Sequence, residues 1–266
     1  MAAEGAVVMR NKTETLLGVL LWTADSMMRP SYRNLTESYE SWAYRNGFGR
    51  TAAILERQAL VERDRLRPDA RVYRLTEKGR LRALGGRDPE QEWGRPWDGV
   101  WRMVIFDIPS HQNSYRQKLR RYLKANGFGC LQDSLWITPD PLDKEIALLR
   151  AEAVNVESLI LLNSHPCAGE TNAQVVAGAW NFGYINRLYK EHMRLLKQLQ
   201  SNASKNKDVL QLQRWATLEQ ESWTNILKED PFLPDMLLPR GYMGKATWRT
   251  RVTVLRKIAR SLLKSA

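Results

Sequence analysis

Cysteine is scarce in this chain. Cys130 and Cys167 are the only two among 266 residues. Two thiols so far apart make neither a disulfide framework nor a zinc site, and a reducing, cytoplasmic setting is the expectation. Histidine is nearly as scarce. His111, His165 and His192 share no ligand or catalytic spacing, so each reads as a loop or helix-face residue. Long apolar runs are missing too. Leu16 to Trp22, the longest near the N-terminus, falls far short of the roughly 20 residues of a membrane span. Met1 to Lys12 lacks the apolar core of a secretory signal, so a soluble protein with no membrane partner is expected. There is no Gly-x-x-x-x-Gly-Lys-Ser/Thr loop, no dinucleotide glycine fingerprint, no Gly-x-Ser-x-Gly elbow and no His-Glu-x-x-His pair. The expectation is a protein that is not an enzyme, with no catalytic residue and no resident cofactor.

Acids are also in deficit. The chain has 29 against 41 bases, a net charge of +12 and a pI near 9.8. That surplus predicts attraction to polyanions, chiefly nucleic acid. Hydrophobic residues make up 43% of the chain, enough to bury real cores, and the length suits two or three domains.

Residues 13–84 read as three helices, a hairpin and a short helix. Leu16, Leu17, Leu20 and Leu21 share one face of a helix from Thr13 to Met28. Pro30 and Ser31 mark a second helix start, with the Asn46-Gly47 turn beyond its end near Arg45. A third helix spans about Gly49 to Gln58, with Ile54 and Leu55 expected inward. Leu60 to Arg65 and Val72 to Leu75 read as strands joined by the turn Arg67-Pro68-Asp69-Ala70. Thr76 is placed to cap the last helix.

Residues 85–100 read as a linker punctuated by Gly85, Gly86, Pro89, Gly94 and Pro96, with Trp93 and Trp97 docking it on a neighbouring domain. Residues 101–173 read strand, helix, strand, helix, strand. If the segment Cys130 to Thr138 splits into a hairpin, this becomes a ferredoxin-like βαββαβ layer. Helices are expected over Asn113 to Asn126, capped by Gly127, and over Asp140 to Val154. Residues 174–266 read as a helical domain with helices near 175–200, 208–228 and 245–263. The fold class is therefore α+β and multidomain. The ten tryptophans are expected in cores and domain seams.

The first three helices and the hairpin make a winged helix-turn-helix. Such a fold puts polar side chains of one helix into the major groove of double-stranded DNA. Arg50, Thr51 and Arg57 are expected to point outward and read bases. Arg63, Arg65, Arg67 and Arg71 of the hairpin suit phosphate or minor-groove contact. Between Arg45 and Arg82 stand eleven bases and five acids, half of the protein's surplus in 38 residues.

Two other features carry competing readings. Asp107 ends a hydrophobic strand. A carboxylate there either caps a neighbouring loop or binds a metal with its copy across a two-fold axis, which would make the central domain a metal-dependent nuclease or another nucleic-acid-binding protein. From Arg240 to the end come eight bases and no acid, while Val252, Leu255, Ala259 and Leu262 form an apolar stripe. That pattern fits a docked helix, a phosphate-binding surface or a membrane-surface helix.

The stretch Trp101-Arg102-Met103-Val104-Ile105-Phe106-Asp107-Ile108-Pro109 resembles the central block of the PaaX family, repressors of phenylacetic-acid degradation operons. So do Tyr115-Arg116-Gln117-Lys118-Leu119-Arg120-Arg121-Tyr122-Leu123 and Gly127-Phe128-Gly129-Cys130-Leu131-Gln132-Asp133-Ser134-Leu135-Trp136-Ile137. Tyr73-Arg74-Leu75-Thr76-Glu77-Lys78-Gly79 matches its wing, and Asp230-Pro231-Phe232-Leu233-Pro234 with Leu237-Leu238-Pro239 its C-terminal block. The resemblance implies an N-terminal winged helix, a central domain like the small CRISPR spacer-acquisition subunit, and a helical C-terminal domain. It implies operator binding as a homodimer, relieved by an acyl- or aryl-CoA thioester such as phenylacetyl-CoA. The recognition helix departs from the family. Ala53 stands where the family tends to have arginine, and Gln58 where it has glycine. A different operator is expected.

Overall fold

The computed structural model describes residues 17–18, 21, 49–63, 73–109, 111, 113–143, 146, 159–203 and 209–264. Two compact units form. One gathers Met1–Asp88, Lys190–Thr224 and Gly244–Ala266; the other gathers Pro89–Tyr189 and Asn225–Met243.

In the first unit, helix α1 (Gly49–Arg57) leads into an antiparallel hairpin, β1 (Val61–Arg63) and β2 (Tyr73–Leu75), followed by α2 (Glu77–Ala83). The chain leaves α1 through a left-handed residue, Ala59, with φ 54°. The Leu60 N–H bonds back to the Leu55 carbonyl and the Ala59 N–H to that of Glu56, both at 2.9 Å. This paired closure satisfies two carbonyls that a helix end leaves open. It also turns Leu60 and Val61 straight into the core. Thr76 caps α2 as expected. Its Oγ1 accepts from the Gly79 N–H at 3.0 Å and donates to the Ala59 carbonyl at 2.7 Å. Gly79 rests on the Leu60 backbone, where an added Cβ would sit 1.8 Å from the carbonyl oxygen.

Of the expected helix over Thr13 to Met28, Leu17, Gly18 and Leu21 are described, and they are helical. The expected second helix and the turn Arg67-Pro68-Asp69-Ala70 lie outside the described residues.

The second unit opens with α3 (Pro89–Gly94), inside the stretch expected to be linker. Its Trp93 is buried against Phe232 and Tyr242 of the same unit. A four-stranded antiparallel sheet follows in the order β4-β5-β3-β6, built from β3 (Trp101–Phe106), β4 (Gly129–Gln132), β5 (Leu135–Thr138) and β6 (Leu159–Ser164). The segment from Cys130 to Thr138 does split into a hairpin. Helix α4 (Asn113–Ala125) covers one face. Alternate residues Val104 and Phe106 of β3 meet Leu119 and Leu123 of α4, one helical turn apart. Gly127, at φ 82°, closes α4 where a C-cap glycine was expected. Most of the expected helix between β5 and β6 lies outside the described residues; Asp143 and Ile146 are helical.

The expected long helix from Val175 to Gln200 is two helices, α5 (Asn172–Ala179) and α6 (Phe182–Ala203). The break at Trp180-Asn181 has a physical reason. Asn181 Oδ1 accepts from the Tyr184 N–H at 2.9 Å, starting a new helix. Trp180 leaves the helical path to lie on Gly129, where a Cβ would come within 2.6 Å of its ring. The Trp180 indole donates to the Gly127 carbonyl.

Helices α7 (Val209–Glu229) and α8 (Gly244–Lys264) complete the fold. Residues 174–266 are thus divided between the two units. In the first, Leu196 and Leu199 of α6 pack with Val254 of α8. Trp223 of α7 is fully buried and donates its indole N–H to the Leu84 carbonyl at 3.3 Å. Helix α7 therefore packs on the end of α2. Among the described residues no helix is long and apolar enough to cross a membrane.

Candidate nucleic-acid interface

The phase of α1 decides which side chains can reach a partner. Thr51, Ala52 and Leu55 are buried, and Arg50, Arg57 and Gln58 are exposed. Leu55 faces inward as expected. Its neighbour one turn back, at i−4, is Thr51, so Thr51 is inward too. This corrects the expectation that Thr51 points outward to read bases: its side chain is 4% exposed. Ile54, expected inward, is only half-buried. Arg50 and Arg57 keep the outward placement. The Arg57 Nε–H lies 3.4 Å from the Ala53 carbonyl, one turn back on its own helix. Arg63 closes β1, opposite Tyr73. Arg65, Arg67 and Arg71 lie outside the described residues.

Charge is unevenly shared between the units. The first carries 29 bases and 15 acids, a net of +14; the second carries 12 bases and 14 acids, a net of −2. The whole positive surplus therefore belongs to the unit that contains α1 and the hairpin.

The first unit also holds a buried charged cluster that local sequence patterns do not reveal. The Arg251 guanidinium of α8 grips the Glu219 carboxylate of α7 with two hydrogen bonds, Nε to Oε1 at 2.5 Å and Nη2 to Oε2 at 3.1 Å. Arg251 also lies over the Trp223 ring, 4.5 Å from its centroid. His192 of α6 places Nε2 3.4 Å from Glu219 Oε1 and bonds Ser222 Oγ through Nδ1 at 2.9 Å. Burial alone would raise the Glu219 pKa. The guanidinium and imidazole beside it outweigh that and hold it at about 2. The arrangement fixes α6, α7 and α8 to one another. In the sequence Arg251 is one more base of a basic helix. Charge alone could not distinguish it from its exposed neighbours; its place among Thr247, Trp248 and Val254, on the buried face, could have.

The second unit has its own buried hub, at Asp230. Tyr189 and Tyr242 both donate to Asp230 Oδ2, at 2.6 and 2.5 Å, and the Phe232 N–H donates to Oδ1 at 2.7 Å. The Trp93 indole donates to the Tyr242 hydroxyl at 3.2 Å. Burial, and then the adjacent carboxylate, push both phenols well above their ordinary range. Arg95 joins Asp140, Glu92 and the Phe232 carbonyl. The Asp-Pro-Phe-Leu-Pro stretch is therefore an architectural knot.

Asp107 is exposed just after β3. Among the described residues no group of three or more histidines, cysteines or carboxylates could hold a metal ion. Nothing there favours the nuclease reading over that of a strand-end residue.

Helices and an antiparallel sheet in two units, with the excess of bases confined to one, define a mixed helix-and-sheet protein suited to a polyanionic partner. Comparison with known families places it more closely. Residues 94–176 match the PaaX protein central Cas2-like domain, and residues 180–265 match the PaaX-like protein C-terminal domain. Together these matches span more than half of the chain. The chain belongs to the PaaX family, whose members are DNA-binding transcriptional regulators. The solved structure of the uncharacterized protein Rv0674 from Mycobacterium tuberculosis is similar, with 20% identity and a TM-score of 0.53 over 93% of this chain and 95% of that one. That likeness is one of fold. No curated protein sequence matches the chain.

Proposed function

We propose that the chain is a homodimeric repressor that binds operator DNA through an N-terminal winged helix and leaves it when an acyl- or aryl-CoA thioester, such as phenylacetyl-CoA, binds. The observation that carries this reading is the confinement of the positive surplus, within a PaaX-family chain, to the unit that holds α1 and the hairpin. Arg50 and Arg57 read base edges from the exposed face of α1. The hairpin bases Arg63, Arg65, Arg67 and Arg71 hold phosphates. Thr51 acts from the core side, by seating the helix.

The dimer forms through the central sheet. Ile160 and Leu162 of edge strand β6 are 53% and 45% exposed, and they stand opposite Ile105 and Met103 on the same sheet face. Apolar residues at an open sheet edge favour pairing with another chain. Two copies then present their α1 helices to successive major grooves, about 34–36 Å apart. A thioester effector acts only through a different affinity for the DNA-competent and incompetent dimers. The central domain completes a ferredoxin-like βαββαβ layer in this reading. No chemical step is assigned to the protein.

The test is binding to the DNA upstream of its own gene against a scrambled duplex, at two salt concentrations, with and without phenylacetyl-CoA. Specific, salt-sensitive binding released by the thioester is expected. Arg57→Ala should lower affinity for the preferred duplex by about 1–3 kcal/mol and flatten the preference. Equal affinity for both duplexes in the parent protein would refute the regulator reading. Specific binding indifferent to the thioester would refute the effector alone.

A further inference from the structure

We propose that α6 and α8 form a second phosphate-binding face for duplex DNA, which grips the backbone outside the stretch read by α1. The inference rests on the DNA-binding reading above and adds a surface to it.

Five exposed bases carry it. Lys190, Arg194 and Lys197 follow one another on α6 at intervals of four and three residues, so they share one stripe. Arg249 and Lys257 lie two turns apart on α8, with exposed Thr253 between them. The opposite sides of both helices are fixed in the core. His192, Leu196 and Leu199 are buried on α6, and Thr247, Trp248, Arg251 and Val254 on α8. The five bases therefore cannot turn inward without unseating the Glu219–Arg251 cluster.

Among the described residues none of the five meets a carboxylate in an ion pair. The second unit behaves otherwise: Lys124 pairs with Glu229 at 3.0 Å, and Arg120 lies 3.5 Å from Asp133. Helix α8 has no acid at all over its 21 residues. Glu191 is the one acid within α6 itself. Like charges at i,i+4 destabilise a helix by about 0.2–0.5 kcal/mol per pair. An ordinary solvated face interleaves acids and avoids that repulsion. A polyanion relieves it, and duplex DNA offers one phosphate about every 1.7 Å of axis. The bundle is tied to the DNA-binding segment through the Trp223 bond to Leu84 and lies in the same compact unit. In this proposal both surfaces engage one duplex.

The experiment uses the full chain with Lys190→Gln, Arg194→Gln, Lys197→Gln, Arg249→Gln and Lys257→Gln together. Affinity for the upstream duplex and for a scrambled one is measured against salt, alongside a hydroxyl-radical footprint. The slope of log K against log salt should become shallower by about 0.9 for each phosphate contact removed. Losing two contacts predicts a roughly 60-fold weaker complex at 0.1 M salt. Both duplexes should weaken by the same factor, and the outermost protected positions should disappear from the footprint. If the five-fold variant does not fold, as judged by its melting curve, the pair Arg249→Gln and Lys257→Gln is read the same way.

An unchanged slope and footprint would overturn the inference. So would a variant that loses only its response to phenylacetyl-CoA, or only its binding to anionic lipid vesicles. Arg57→Ala separates the two readings, because it should lower the sequence preference while leaving the slope nearly intact. A parent protein that binds neither duplex overturns both readings at once.

Discussion

Replacing Glu219 by Gln removes one negative charge and almost no volume. Arg251 stays behind, 1% exposed, without the anion that makes its burial tolerable. Breaking a buried ion pair from one side costs about 3–5 kcal/mol. The carboxyl group gives a second route to the magnitude. Its pKa falls from 4.5 to about 2 on folding. That displacement corresponds to about 3 kcal/mol.

The sign of the pH dependence follows from the direction of the shift. A carboxylate with a depressed folded pKa stabilises fully above its unfolded value, and the contribution fades as pH falls through the folded one. The parent's advantage over Glu219→Gln should therefore be complete at pH 7, begin to shrink near 4.5, and be nearly gone at about 2. Urea denaturation followed by circular dichroism across that range measures it. A Tm loss of roughly 6–20 °C at pH 7 is the thermal counterpart. The double variant Glu219→Leu with Arg251→Met fills the space without charge and should lose less stability than Glu219→Leu alone. A loss below about 1 kcal/mol at pH 7, or one that does not shrink with acid, would refute the assignment of this cluster as the clamp on α6, α7 and α8.

Three further outcomes are expected. Gly79→Ala forces a Cβ to 1.8 Å from the Leu60 carbonyl oxygen, so the contact between α2 and the start of β1 must open. Its urea midpoint should drop by the equivalent of about 2 kcal/mol or more, and an unchanged midpoint would contradict that packing. Ala59→Gly relieves the left-handed turn after α1 and should raise stability by about 1 kcal/mol. A destabilised variant would show that the Ala59 methyl group matters more than the turn. Ile160→Lys with Leu162→Lys places charge on the apolar edge of the central sheet, and light scattering should report a shift from dimer to monomer. A mass unchanged from the parent's would place the dimer contact elsewhere.

Much of the local structure was legible in the sequence, because it depends on neighbours along the chain. The apolar run Trp101–Phe106, the cap at Thr76 and the closing glycine at Gly127 are all short-range signals. The central hairpin was foreseen as a split in one strand segment. The break before α6 was equally local, since Asn181 is a ready N-cap. The capping pair Thr171 and Gln174 at the start of α5 was also there to be read. Apolar periodicity that continues across the break masks both signals.

Other features depended on contacts that no local pattern contains. Arg50 and Thr51 are adjacent, and both are polar. Only the packing of Leu55 and Ala52 turns Thr51 inward and leaves Arg50 outside. Arg251 and Arg249 sit two residues apart in one basic helix. Only the arrival of Glu219 and Trp223 from another helix makes the first a buried clamp and leaves the second exposed. Composition alone determined that the chain is basic, and periodicity determined where most of its described helices and strands run. The tertiary structure decided where the charge acts. It folded three separate stretches of chain into one unit carrying +14 and left the other at −2, because long-range packing, not sequence order, determines which residues share a surface.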